Sequence, residues 1–146
     1  MTAFELFALL ILGHYVADYP MQGQFIALGK NRACPIPGTP WYQILFAHAY
    51  MHGGMVAAAV VLAGLSGHPE LFALALPIAA GEVILHWLID DWKCLREARC
   101  RKTCSEADLE CRRIGAYNLD QSLHFACKLA WTAVCTCYAG LPLIVR

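Results

Sequence analysis

Four long apolar stretches dominate this chain, and none of them is free of ionisable residues. They run from Thr2 to Tyr19, Tyr42 to Leu65, Glu70 to Trp92 and Tyr117 to Leu141. Each has the roughly 17–25 residues that carry a helix across a bilayer. A buried bundle in a soluble protein is the alternative, but its helices should each show a polar stripe. Val56–Gly64 and Leu71–Ala80 show none. Composition agrees: of 146 residues, 59% are hydrophobic and 15% charged, against about half and about a quarter in ordinary soluble domains. The expectation is one all-α integral membrane domain over residues 1–146. It is a four-transmembrane-helix bundle with helices at about 2–19, 42–65, 70–98 and 117–141.

Punctuation supports these boundaries. Pro20 ends the first stretch, and "CPIPGTP" at 34–40 is a stiff loop followed by Trp41 and Tyr42 as interface anchors. In "SGHPE", Gly67 suits a helix C-terminus and Pro69 a helix start. Pro77 should kink the third helix. Ser105 is a good N-cap for a short cytoplasmic helix over 104–113, in the third connection. The start, "MTAFELF", lacks the basic region of a signal peptide, so the first stretch reads as a retained helix.

Basic residues set the orientation. Lys30 and Arg32 lie in the 20–41 connection, and seven of the eleven Lys and Arg residues lie between Lys93 and Arg113. The turn at 66–69 has neither residue type. The 20–41 and 93–116 segments should therefore be cytoplasmic, with both termini outside, as in a bacterial inner-membrane protein. The net charge is zero, which gives no reason to expect nucleic acid as a partner.

Every apolar stretch carries one pair of ligand-type residues four apart: His14 and Asp18, His48 and His52, His86 and Asp90, Asp120 and His124. Residues at that spacing share a helix face. In an up-down-up-down bundle all the pairs fall at one depth, near the cytoplasmic end. Ionisable groups inside spans are costly and face the bundle interior. Imidazole with carboxylate suits zinc and its neighbours, as one or two ions. A proton relay and a purely structural polar network are the alternatives.

Other residues extend these faces. Glu82 lies one turn before His86, and Asp90, Asp120 and Glu82 are candidate catalytic bases. Gln22, Lys30, Lys93 and Gln121 sit at the cytoplasmic mouth, where they suit an anionic substrate group. The lysines there also serve simply as topology determinants. Asp91 should face water.

At these residues the chain resembles a family of small bacterial and phage-encoded four-helix integral membrane proteins of unknown function. That family's pattern is HxxxD followed by Gln and Lys, then paired His, then HxxxD with a following Lys, then DQxxH. Here these are His14, Asp18, Gln22 and Lys30; His48 and His52; His86, Asp90 and Lys93; Asp120, Gln121 and His124. The pattern is more loosely similar to inner-membrane metal-dependent hydrolases with HxxxD helices. The resemblance implies a shared site without naming its reaction. Eight cysteines depart from it. Cys94, Cys100, Cys104 and Cys111 crowd the 93–116 segment without zinc-knuckle spacing, and Cys34 lies in the first loop. In a reducing cytoplasm they stay free; an oxidising side would allow Cys100–Cys111 or Cys104–Cys111 bridges. Cys127, Cys135 and Cys137 read as apolar fillers.

Two functions follow. The first is a membrane-embedded, metal-dependent hydrolase acting at the cytoplasmic face on a lipid or lipid-linked phosphate. The second is a non-enzymatic, phage-encoded membrane scaffold. Its polar or metal-bound core would lock the bundle while residues 93–116 dock a protein partner or a second copy.

Overall fold

The computed structural model describes residues 1–32, 36–103 and 105–144, and for 107, 109 and 111 the backbone alone. Among these residues the elements are helical: α1 (Ala3–Asp18), α2 (Gly23–Gly29), α3 (Trp41–Leu65), α4 (Phe72–Thr103) and α5 (Glu106–Ala139). A single 3₁₀ turn, Pro69–Leu71, leads into α4. Thr2 caps α1: its hydroxyl accepts from the Glu5 amide, and the Glu5 carboxylate accepts from the Thr2 amide at 2.8 Å.

The four long helices form a ring in which α1 touches α3 and α5, and α4 touches α3 and α5. Neighbours run antiparallel. Tyr19, after α1, meets Tyr117 near the start of α5, hydroxyl to hydroxyl at 3.0 Å. At the other end, the Ala3 amide donates to the Pro142 carbonyl at 2.8 Å. Close approach of α3 and α4 depends on Gly53, where a Cβ would lie 2.5 Å from Val83 Cγ2 and 3.0 Å from the Ala79 carbonyl. Small residues are what allow two helix backbones this near.

The interior is split along the ring axis. At the end holding Ala3, Ala63, Leu71 and Leu141 it is an apolar core, built from Leu6, Leu10, Val56, Val60 and Ile78. At the other end buried polar side chains predominate, with Ala17, Ile44, Leu45 and Ala49 among them. Outward-facing residues are strongly apolar: Phe4, Leu65, Leu76, Leu88 and Leu129 are each more than 60% exposed. Two stretches among the described residues are long and apolar enough to cross a membrane, Trp41–Leu65 and Pro69–Thr103. The expected count of four is not met by length and apolarity. Helix α1 has 16 residues, and α5 dilutes its apolar run with Gln121, His124 and Lys128.

Three local expectations change. Ser105 does cap a helix, accepting from the Asp108 amide, but that helix is α5 itself, continuous to Ala139. The separate short helix at 104–113 does not exist, because the lone Gly115 is too weak a breaker to stop an established helix. Helix α4 also continues to Thr103, beyond the expected end near residue 98. The first connection holds α2, for which the 20–41 segment shows no periodic signal. At the expected C-terminus of α5, Gly140 adopts φ 63°, the left-handed conformation that glycine takes without a steric cost.

Candidate metal centre

All four ligand-type pairs meet at the polar end of the bundle. His14, His48, His52, His86 and His124 are each at most 1% exposed, as are Asp90 and Asp120. The sixth histidine, His68, lies in the turn between α3 and α4 beside Glu70. The rings form one stack across three helices: His52 and His86 have centroids 3.6 Å apart, and His86 and His124 4.1 Å. His14 closes the group from α1, 4.9 Å from both His52 and His124.

Carboxylates lie on the mouth side of this stack. Asp18 Oδ1 is 3.1 Å from His52 Nε2 and 3.3 Å from His48 Nε2, while Asp18 Oδ2 is 3.3 Å from His14 Nε2. Asp90 lies 3.6 Å from His48 Nε2 and 3.7 Å from His124 Nε2. Asp120 Oδ1 is 3.5 Å from the same His124 nitrogen. Three sets of donor atoms lie within 4.8 Å of one another: Asp18–His48–His52–His86, His14–His86–His124 and Asp90–Asp120–His124. These buried groups could hold a metal ion.

The donor chemistry fits a divalent transition metal. Imidazole nitrogen with carboxylate oxygen is a normal zinc set. Buried polar atoms without a hydrogen-bond partner are rare, yet both ring nitrogens of His14, His48 and His86 are in that state, and so is Asp120 Oδ1. Ring nitrogens without a hydrogen-bond partner, within 4.8 Å of other donor atoms, fit a ligand set. Asp90 and Asp120 are held by ammonium groups, whereas the Asp18 contacts are imidazoles. The Asp18–His48–His52–His86 set is therefore better suited to an ion than Asp90–Asp120–His124, and unlike His14–His86–His124 it includes a carboxylate.

The lysines and glutamines expected at the mouth have inward roles. Lys30, at the end of α2, is buried; its Nζ donates to Asp90 Oδ2 at 2.7 Å and to Gln22 Oε1 at 3.1 Å. Lys93 donates to Asp120 Oδ2 at 2.8 Å and to Asp90 Oδ1 at 3.3 Å. Gln121 donates to Asp120 at 3.3 Å. All four residues line a cleft of about 240 Å³ that reaches Asp18 and Asp90 from the 93–116 side, with Tyr19 and Tyr117 at its wall.

Glu82 has a different environment from the one expected of a base. It lies deeper than His86, 3.6 Å from His86 Nδ1. One of its oxygens takes a hydrogen bond from the fully buried Lys128, and the other accepts from Trp131 Nε1 at 2.8 Å. Both oxygens are thus occupied, and Glu82 does not border the cleft. Asp91 does not simply face water either: it is paired with Arg32, whose guanidinium also lies 4.2 Å over the Trp41 ring.

Lys128 and Trp131 escaped the sequence reading, although a signal was present. An acid buried in a span needs a partner, and Lys128 is the basic residue lying mid-stretch in the fourth helix. Among the cysteines, Cys94, Cys100, Cys127, Cys135 and Cys137 are free. Cys135 fills the core as expected, but Cys137 is exposed. Cys34, Cys104 and the Cys111 side chain, with the bridges expected of them, lie outside the described residues.

No curated protein and no solved structure matches the chain significantly. The sequence pattern of one family does match, from residue 6 to residue 142, and so spans every residue of this centre. The chain belongs to that family, described as protein of unknown function DUF3307.

Proposed function

We propose that this is a bacterial inner-membrane protein that binds zinc and hydrolyses a lipid or lipid-linked phosphate at the cytoplasmic face. One observation carries the reading. Eight ligand-type residues from four helices converge at one depth, and three of the five imidazoles have no hydrogen-bond partner at either nitrogen. The apolar outer surface supports the membrane setting, since soluble monomers seldom expose contiguous apolar patches of such extent. The basic residues of 93–116 support a cytoplasmic mouth.

In this reading three of Asp18, His48, His52 and His86 would hold the ion, leaving a fourth position for water, with His14 and His124 beside it. A zinc ion there supplies Lewis acidity and lowers the pKa of a water molecule. Asp90 borders the cleft and Asp120 lies buried behind Lys93; both are close to His124 and to the Lys93 ammonium, and they are the candidates to accept a proton. Lys30 and Lys93 hold those carboxylates in place. Elemental analysis of protein purified in detergent without chelators tests the proposal: about one zinc per chain is expected, and a metal-free preparation that cannot be loaded would remove it.

One observation favours a second reading. Lys30 and Lys93 already neutralise Asp90 and Asp120. A scaffold whose polar core locks the bundle needs such internal pairing and needs no open coordination position. Hydrolysis of phosphatidic acid or a polyprenyl phosphate by the zinc-loaded protein separates the two.

A further inference from the structure

Beyond the mouth, α4 and α5 continue as a helical hairpin. They have 32 and 34 residues. At about 1.5 Å per residue each reaches about 50 Å, past the about 30 Å of a bilayer's hydrocarbon core. Between the last turns of α4 and the first turns of α5 lies a second cavity, of about 340 Å³. It shares Lys93, Glu97 and Tyr117 with the cleft that reaches Asp18 and Asp90, so the two spaces adjoin.

Four cationic side chains line this cavity, Lys93, Arg96, Arg112 and Arg113, against two carboxylates, Glu97 and Glu110. The carboxylates are already engaged. Glu97 pairs with Arg101 at 2.7 Å and with Arg113 at 3.6 Å, and Glu110 lies 3.5 Å from Arg113. Lys93 is turned to Asp90 and Asp120. Arg96 and Arg112 remain, neither within ion-pair distance of a carboxylate among the described residues. Arg96 instead lies 5.5 Å from the centre of the Trp92 ring. Both arginines line the same cavity, and guanidinium forks bind a tetrahedral oxyanion through paired hydrogen bonds.

The geometry points to this cavity as a binding site for a phosphate group, held by Arg96 and Arg112, with Arg96 about 15 Å along α4 from His86. The site names the substrate class and rests on the proposed hydrolase reading. It moves anion recognition off Lys30 and Lys93, whose charges the aspartates consume. A phosphate there sits at headgroup level, with Tyr117 and Lys93 between it and Asp90.

Calorimetric titration of the detergent-purified protein tests this, with dihexanoyl phosphatidic acid and inorganic phosphate as probes. The wild type should bind phosphatidic acid, and Arg96→Gln/Arg112→Gln should weaken binding by about tenfold or more. Arg99→Gln removes a charge from α4 outside the cavity and should leave affinity unchanged. Both cavity arginines are exposed, so the double variant leaves the core intact. Binding of inorganic phosphate as well would mark the phosphate group as sufficient; binding of phosphatidic acid alone would mark the lipid as its source. Either supports the site. Failure of the wild type to bind either probe overturns it, as do equal losses in Arg99→Gln and the double variant. Zinc content measured on the same samples keeps the two ideas apart. Phosphate binding without zinc removes the hydrolase and leaves the anion site, and zinc without phosphate binding does the reverse.

Discussion

His52 of α3 and His86 of α4 lie face to face, with ring centroids 3.6 Å apart and planes inclined by 23°. Both belong to the donor set that includes Asp18. The stack ties the orientation of each ring to the other, so the two residues should act as one unit. His52→Ala and His86→Ala should each lower zinc content to less than half of wild type. The double variant should be little worse than either single one, because contacts shared by two residues are not additive. Elemental analysis of the three variants checks this; full occupancy in the double variant would favour a polar network without metal.

Lys93 bridges Asp90 and Asp120. Lys93→Met removes one of the cations that hold these buried carboxylates and should cost about 3–5 kcal/mol of stability. Added zinc should recover part of that loss, since a cation at the centre replaces some of the missing charge. Thermal unfolding in detergent, with and without zinc, measures the effect. Arg99→Gln, on the exposed surface of α4, is the control and should unfold as wild type does.

Lys128 and Glu82 form an ion pair that is buried on both sides. Removing one partner strands the other charge in an apolar interior, so Lys128→Met should lose about 3–5 kcal/mol. Lys128→Met combined with Glu82→Gln should be more stable than Lys128→Met alone. A double-mutant cycle on unfolding midpoints reads the coupling; additive losses would mean that the pair is not buried as described.

Gly53 follows His52 and sits where α3 and α4 come closest. Gly53→Val pushes the helices apart and should cost about 1–3 kcal/mol. It should also weaken zinc binding, because His52 and His86 approach each other across the same contact. Gly54→Val, next in sequence with open space around it, should affect neither.

Orientation is tested through Cys100, a free thiol near the end of α4. In intact cells an impermeant maleimide should leave it unlabelled, and permeabilised cells should label it. Labelling without permeabilisation would invert the topology, placing the mouth and the arginine-lined cavity outside.

The cluster of histidines and aspartates was largely legible because helical periodicity and alternating direction leave little freedom. Spacing of four fixes a face, and position along each stretch fixes a depth. His14 with Asp18 and Asp120 with His124 therefore had to meet if the helices alternated. Contacts made by loops were not legible. Lys30 reaches Asp90 because α2 lies against α3, and Arg32 reaches Asp91 for the same reason. Nothing in the 20–41 segment has a repeat that fixes its path. The end of the expected short helix was missed for a related reason: propensity marks where a helix starts better than where tertiary packing lets it continue.

Main-chain hydrogen bonds join the Ala3 amide to the Pro142 carbonyl at 2.8 Å and the Phe4 amide to the Leu143 carbonyl at 3.4 Å. In space the helices therefore form a cycle, α1 to α3 to α4 to α5 and back to α1, with no privileged starting point. A circular permutant that links residue 144 to residue 1 and opens within the His68 turn would begin with α4 and end with α3. Each imidazole would keep its neighbours, since the turn that is cut lies at the end of the bundle away from the metal centre.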